Sequence, residues 1–363
     1  MIVIVPERNR PAYDFSDPVN LKGMTGGDPL FAGVVATPAF QRLKSIRFLG
    51  GIDYLLVRAP NGVKGNIRYT RYQHSLGVAR LALHYCQERG LSSSERRLVY
   101  VAALLHDVGH APLSHSLEPV FNEIFGLEHH RATEDILRGN VPLGRELSDL
   151  LRSNGVDVER VIAIVSNAEP GYDGFFAGPI NFDTIEGILR TRKYATPTAN
   201  TPGPEAMVEA AIRRESKSDR ELVDHFWSCK DSVYTHIINS RRGVLADFSC
   251  QVFMREHLTE LSASDYFTTE NDIFRTLRGL RELLTSRSFE SEVRRYLDRP
   301  IHYKIRRFFV KQSGDFFKRE DLVRYQQRKE DGLLVPGEFS AAETAELSRD
   351  LSDDDRIPRD RPS

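Results

Sequence analysis

Seven of the chain's eleven histidines lie in the 57 residues from His74 to His130. The densest part reads His106-Asp107-Val108-Gly109-His110-Ala111-Pro112-Leu113-Ser114-His115. It follows directly on Leu98 to Leu105, a run apolar nearly all round that reads as a buried helix. An imidazole beside a carboxylate at the end of a buried helix is costly unless the two are paired or bind a metal. Imidazole nitrogen and carboxylate oxygen together suit a divalent transition metal or Mn²⁺. His74, near the start of the preceding helix, is a candidate third ligand, and Asp183, early in a helix over 181–192, a fourth. Glu186 sits one turn further along the same face and replaces Asp183 if the register shifts by three.

These side chains need helices to hold them. Thr37-Pro38 reads as an N-cap and first turn, opening a helix with Phe40, Leu43 and Ile46 on one face that ends at Gly50-Gly51. Ile52–Val57 and Val63–Tyr69 flank Pro60-Asn61-Gly62 and predict a hairpin. From His74 to Gln87 the residues Leu76, Ala79, Leu83 and Cys86 share one helical face. Further helices are predicted over 116–125, 129–138, 144–153 and 157–166. Thr196 to Pro204 is a loop, and helical patterning resumes over 205–258 and 270–284.

The expected fold class is therefore all-α, with a small β-hairpin and a mixed C-terminal extension. Four segments are expected: an arm over 1–29, a helical domain over 30–285, a basic-aromatic segment over 286–319, and a disordered tail over 320–363. The last two are electrically opposite. Arg287 to Arg319 carries ten Lys/Arg against four Asp/Glu, and Glu320 to Ser363 seven against twelve. The first reads as an amphipathic packing or subunit-contact element, and both segments as accessory to any chemistry.

Composition narrows the class. The 363 residues are 40% hydrophobic and 28% charged, a globular balance, and 50 basic residues face 51 acidic ones. That neutrality argues against nucleic acid as the main substrate. Cys86, Cys229 and Cys250 form no CxxC pair, and no apolar run is long enough for a membrane span. The start, Met-Ile-Val-Ile-Val-Pro, has no basic leader, so a cytoplasmic location is expected.

The motifs together resemble the HD-domain metal-dependent phosphohydrolases, and within them the dNTP triphosphohydrolase branch. Thr37-Pro38-Ala39-Phe40-Gln41-Arg42-Leu43, Arg71-Tyr72-Gln73-His74-Ser75-Leu76-Gly77-Val78, the 106–115 run, His129-His130-Arg131-Ala132-Thr133 and Val233-Tyr234-Thr235-His236 follow that branch in order. The resemblance implies one divalent metal (Mn, Mg, Fe, Co, Ni or Zn) on His74, His106, Asp107 and Asp183. It implies catalytic roles for His110, His115, Glu118 and His129, and substrate contacts from Arg71 and Tyr234, with Lys230 a nearby candidate. A nucleotide substrate is implied, and a homo-oligomer is compatible with it. The specific reaction implied is dNTP hydrolysis to deoxynucleoside and tripolyphosphate. The alternatives are a phosphatase or phosphodiesterase for another nucleotide, or a metal-bound nucleotide sensor without turnover.

The match breaks in the substrate pocket. Where the branch has a phosphate-binding Lys, a sugar-side Tyr and a closing Asp after the last ligand, this chain has Thr184, Gly187 and Thr191. Phe48 stands where a Gln reads the sugar 3′-hydroxyl, and Ala36 replaces an Asp before Thr37. A pocket built to bond a hydroxyl loses about ten-thousand-fold in discrimination without those groups. Phosphoester hydrolysis is thus better supported by the motifs than dNTP as its substrate.

Overall fold

The computed structural model describes residues 25, 27–55, 69–172, 174–176, 178–195, 200–213, 216–296, 300–311 and 324–335. Helices dominate these residues, and their starts follow local chemistry. Helix α1 (Pro29–Ala36) is capped by Asp28 and α2 (Pro38–Arg42) by Thr37, each with proline in its first turn. Helix α3 (Arg71–Glu88) opens with a Thr70–Gln73 capping box, and α4 (Ser93–Leu105) with a Ser92–Glu95 box. Leu98 through Leu105 are all buried, as their unbroken apolar run requires. After α4 come α5 (Glu118–Phe125), α6 (His129–Arg138), α7 (Arg145–Ser153), α8 (Val158–Val165) and α9 (Phe182–Ala195). Then follow α10 (Pro204–Arg213), α11 (Lys217–Val233), α12 (Arg241–Glu256), α13 (Glu270–Thr276), α14 (Leu280–Thr285) and α15 (Phe289–Val293). A π-helical turn, Tyr234–Ile238, continues α11.

Two apolar clusters hold the helices. One joins α1–α4 and α6–α11 through residues such as Phe40, Leu104, Ile136, Leu189 and Trp227. The other joins α5 and α12–α15 through Phe121, Tyr266, Leu284 and Phe289. The histidine-rich turn after α4 contributes to both, Val108 to the first and Ala111 and Leu113 to the second.

Among the described residues the sheet is one antiparallel hairpin, β1 (Ile301–Val310) and β2 (Tyr325–Leu334), with Ile301 opposite Leu334 and Val310 opposite Tyr325. This corrects the sequence reading twice. Ile52–Tyr54, predicted as strand, lies in a 3₁₀ helix (Gly50–Tyr54), and most of the other predicted arm falls outside the described residues. Residues 325–334, predicted as disordered, form a strand. The helix expected up to Gly50 stops at Arg42 and tightens into 3₁₀ over Leu43–Ser45. The N-terminal arm is described only from residue 25, and residues 336–363 not at all.

The hairpin is seated on α11. Arg324 grips Asp224 through Nε (2.9 Å) and Nη2 (2.5 Å), Tyr325 donates to the same carboxylate at 2.9 Å, and the Phe308 amide donates to Asp231 at 2.9 Å. The Phe308 and Tyr325 rings close on Trp227 at 5.5 and 5.3 Å.

Candidate metal centre and active site

Three helices converge on one buried group of ligand atoms. His74 comes from the first turn of α3, His106 and Asp107 from the end of α4, and Asp183 from the first turn of α9. Asn181 fixes that last turn by accepting the Thr184 amide at 2.7 Å. The metal-capable atoms of His74, His106 and Asp107 lie within 4.8 Å of one another. Asp183 Oδ1 stands 3.0 Å from His74 Nε2 and 4.0 Å from His106 Nε2, with 40% of its side chain exposed.

Hydrogen bonds settle which ring nitrogen faces inward. His106 Nδ1 donates to the Ala103 carbonyl at 2.8 Å, and its buried Nε2 has no hydrogen-bond partner among the described residues. His74 Nδ1 meets Glu186 Oε2 at 2.5 Å, which leaves Nε2 toward Asp107 and Asp183. Two imidazole Nε2 atoms and two carboxylates therefore face a common point, an arrangement that calls for a cation there, a proton on His74 when no ion is bound or a metal in its place. The donor set fits one divalent metal. Against the burial that lowers it, Glu186, Asp183 and Asp107 push the His74 imidazole up to about 9. Glu186 is thus behind His74, wholly buried and clamped by Arg190 Nε at 2.6 Å, not an alternative to Asp183 at the front.

A second cluster adjoins the first. His110 Nε2 lies 3.1 Å from Asp107 Oδ1, and burial holds this imidazole well below its ordinary value, hence neutral. Its ring stacks on His129 at 4.4 Å. Glu118 joins His129 and His115: Oε1 accepts from His129 Nδ1 at 2.5 Å and from the His129 amide at 2.9 Å, and Oε2 meets His115 Nδ1 at 2.9 Å. Burial alone would raise the Glu118 carboxyl, but its two imidazole partners carry it well below the carboxylate range. In return Glu118 outweighs the burial of His129 and raises that imidazole. His115 stands at the mouth, with 62% of its side chain exposed. His130 is exposed, its ring 4.0 Å from that of His129.

The turn joining the clusters is rigid. A Cβ on Gly109 would run into the backbone of His129 and Thr133, so only glycine lets the turn seat on α6. Buried Arg42 donates to the carbonyls of Val108 (3.0 Å), His110 (2.7 Å) and Thr268 (3.1 Å). Its place in the Thr37–Leu43 motif was visible in the sequence, but its role in holding the histidine turn was not.

The predicted substrate contacts separate. Arg71 is buried behind Asp107, with Nη1 on Asp107 at 2.7 Å, Nε on Ser114 at 3.0 Å and Nη2 on the Phe48 carbonyl at 2.9 Å. It orients a ligand carboxylate from inside the protein. Phe48 packs on His74 at 4.5 Å, and a Cβ on Gly187 would stand 2.8 Å from its ring. The two departures are thus complementary: Gly187 vacates the space that Phe48 fills. Lys230 and Tyr234 lie elsewhere, in a cleft of about 460 Å³ between Thr184 on α9, α11 and the hairpin. Lys230 is buried, donates to the Pro179 carbonyl at 2.8 Å, and is pushed down to about 8 chiefly by burial.

A family model described as HD domain matches residues 71–200. The chain is 34% identical over 154 residues to an uncharacterized protein of Bacillus subtilis, YwfO, covering 41% of this chain and 33% of that one. It is 30% identical over 164 residues to the deoxynucleoside triphosphate triphosphohydrolase SAMHD1 of Gallus gallus, covering 42% of this chain and 25% of that one. The matched stretch thus spans only a quarter to a third of these relatives' length. A solved structure of a hypothetical protein from Aquifex aeolicus shares the fold, with TM-score 0.60 at 16% identity over 89% of this chain and 98% of its own. No helix among the described residues is long and apolar enough to cross a membrane.

Proposed function

We propose that this chain, a member of the HD-domain superfamily over residues 71–200, is a metal-dependent phosphohydrolase acting on nucleotides. The observation that carries the reading is the unpartnered Nε2 of buried His106 facing Asp107 and Asp183, beside a histidine–carboxylate cluster poised for proton transfer. The similarity to SAMHD1 supports the specific form, dNTP hydrolysis to deoxynucleoside and tripolyphosphate.

His74, His106, Asp107 and Asp183 would hold the metal, which when bound supplies Lewis-acid polarisation of a phosphoryl oxygen and lowers the pKa of a water. Arg71 keeps Asp107 ionised and oriented. Neutral His110 couples Asp107 to the second cluster. Glu118 holds a proton on His129 against burial. As water attacks the α-phosphorus and the bond to the 5′-oxygen breaks, that imidazolium gives its proton to the departing oxygen. The proton released by the attacking water returns through exposed His115, tied to the same carboxylate, and restores His129.

The wall beside His74 is apolar where Phe48 stands, so the sugar is held by shape there, without a polar reader of its hydroxyls. A weak dependence on the sugar 3′-hydroxyl follows.

The test is product identity. The purified protein is given dNTPs, NTPs, nucleoside monophosphates and cyclic nucleotides with Mn²⁺, Mg²⁺, Co²⁺ or Fe²⁺, and products are resolved chromatographically. Tripolyphosphate and nucleoside are expected. Orthophosphate or nucleoside monophosphate as the product refutes the triphosphohydrolase form, and tight nucleotide binding without turnover refutes the enzyme.

A further inference from the structure

The hairpin that was expected to be an accessory forms one wall of the cleft beside Asp183. Arg306 and Phe308 of β1 and Tyr325 and Gln327 of β2 line it opposite Thr184 and Lys230. Two cations thus enter one cleft from different elements. Among the described residues, neither Lys230 nor Arg306 makes an ion pair. Lys230 lies over the Trp227 and Phe308 rings at 5.1 and 4.9 Å, and Arg306 lies over the Tyr234 ring at 5.9 Å. Among the described residues the Arg306 guanidinium makes one long hydrogen bond, 3.5 Å to the Tyr234 hydroxyl. Two like charges therefore share the cleft with no carboxylate paired to either among the described residues, Lys230 buried against the Pro179 carbonyl and Arg306 exposed at the cleft wall.

The hairpin is not loosely placed. Its docking on Asp224 and Asp231, and the Asn239 side chain donating to the Arg306 carbonyl at 3.0 Å, fix the backbone that carries Arg306. Thr184, which lines the cleft, directly follows Asp183, so the cleft opens beside the metal centre. This also answers a departure in the sequence. The position after Asp183 lacks the lysine of the resembling branch, and a cation arrives instead from α11 and another from β1.

We propose that the C-terminal hairpin completes the substrate pocket, with Arg306 and Lys230 together binding a phosphate group of the nucleotide over the aromatic floor of Trp227, Tyr234 and Phe308. This rests on the nucleotide phosphohydrolase reading above. Arg306 is the specificity-determining residue for charge: it favours polyphosphorylated over monophosphorylated nucleotides.

The experiment uses the full chain and two readouts. Inorganic tripolyphosphate binding is measured by calorimetry in EDTA, and KM and kcat are measured for dNTP hydrolysis with Mn²⁺. Arg306 is exposed, so Arg306→Ala should fold, and its melting temperature is checked. Arg306→Ala should weaken tripolyphosphate binding and raise KM about ten-fold, with kcat changed less than about two-fold, as expected for loss of one charge-assisted contact. Arg306→Lys should recover most of the loss. Arg328→Ala, on the same hairpin but outside the cleft, should match wild type. Tripolyphosphate binding and KM both unchanged in Arg306→Ala overturn the proposal, as does an equal loss in Arg328→Ala. Arg306-dependent tripolyphosphate binding in a protein that hydrolyses no nucleotide would keep the anion site and overturn only the enzymatic reading.

Discussion

Gly77 is the position where a single methyl group should disable the metal centre without touching a ligand. It lies on α3, one turn after His74, against Glu186. A Cβ there would stand 2.7 Å from Glu186 Cδ and 2.8 Å from Cγ, and closer still to Oε1. Carbon–carbon contact begins near 3.5 Å, so the carboxylate must retreat by about 0.8 Å. A side-chain end normally yields cheaply, but this one is wholly buried and held by both His74 and Arg190. Retreat breaks the 2.5 Å bond to His74 Nδ1 and frees the imidazole to turn. The lost charged hydrogen bond and the overpacking together cost roughly 2–5 kcal/mol. In a chain this size that lowers Tm by roughly 3–7 °C. Loss of the partner behind a ligating histidine should also weaken metal binding about 10–100-fold. Gly77→Ala is compared with wild type by thermal melting in EDTA and by calorimetric titration with Mn²⁺. Gly203→Ala is the control, since a Cβ there would meet nothing nearer than Ala206 Cβ at 3.9 Å. A Gly77→Ala protein with wild-type Tm and wild-type Mn²⁺ affinity would show that Glu186 does not position His74.

Three further outcomes follow from the same geometry. Glu270 is buried beneath the turn, accepting from the amides of Arg47 (2.6 Å) and Leu113 (3.2 Å), and burial raises its carboxyl from 4.5 to about 7. The fold prefers the protonated form, so this contribution is complete below pH 4.5 and is lost as pH rises through 7, at a cost on the order of 3 kcal/mol by pH 8. Wild type should therefore lose Tm relative to Glu270→Gln between pH 5 and pH 8, and a pH-independent difference refutes the assignment. Glu118→Gln removes the charge that holds the proton on His129, so kcat should fall about 10²–10⁴-fold and the alkaline limb of the pH–rate profile should move to lower pH. An unshifted profile would leave Glu118 as a cap for α6 alone. Stripping the metal with EDTA should lower Tm, since an ion at about 100 times its Kd stabilises by ~2.7 kcal/mol. Re-addition should restore it, and a Tm indifferent to both would speak against a resident ion.

The helical domain was legible because its signals are local. The cap at Thr37, the apolar run before His106, and the spacing of histidines all act within a few residues. The hairpin was not legible. Tyr325–Leu334 has almost no apolar alternation, and its pairing comes from the backbone ladder, from opposed charges such as Lys304 and Asp331, and from ion pairs reaching α11. Such partners lie about a hundred residues apart in sequence. The candidate ligands could be named from sequence, because imidazole and carboxylate are chemically distinctive. Which residues stand behind them could not. Arg71 faces inward to Asp107, Glu186 takes the far nitrogen of His74, and Arg42 pins carbonyls, all decided by three-dimensional packing. The Phe48–Gly187 exchange looked like two independent losses until their contact made it one substitution of shape.

The central claim is that His74, His106, Asp107 and Asp183 hold one divalent ion required for nucleotide hydrolysis. Its most direct test is metal stoichiometry by mass spectrometry after dialysis against Mn²⁺, with nucleotide turnover measured on the same samples of wild type, His106→Ala and Asp107→Ala. One ion per chain in wild type, and neither ion nor turnover in the two variants, is the result expected. Turnover by wild type with no bound ion, or variants that keep both the ion and the turnover, would contradict it.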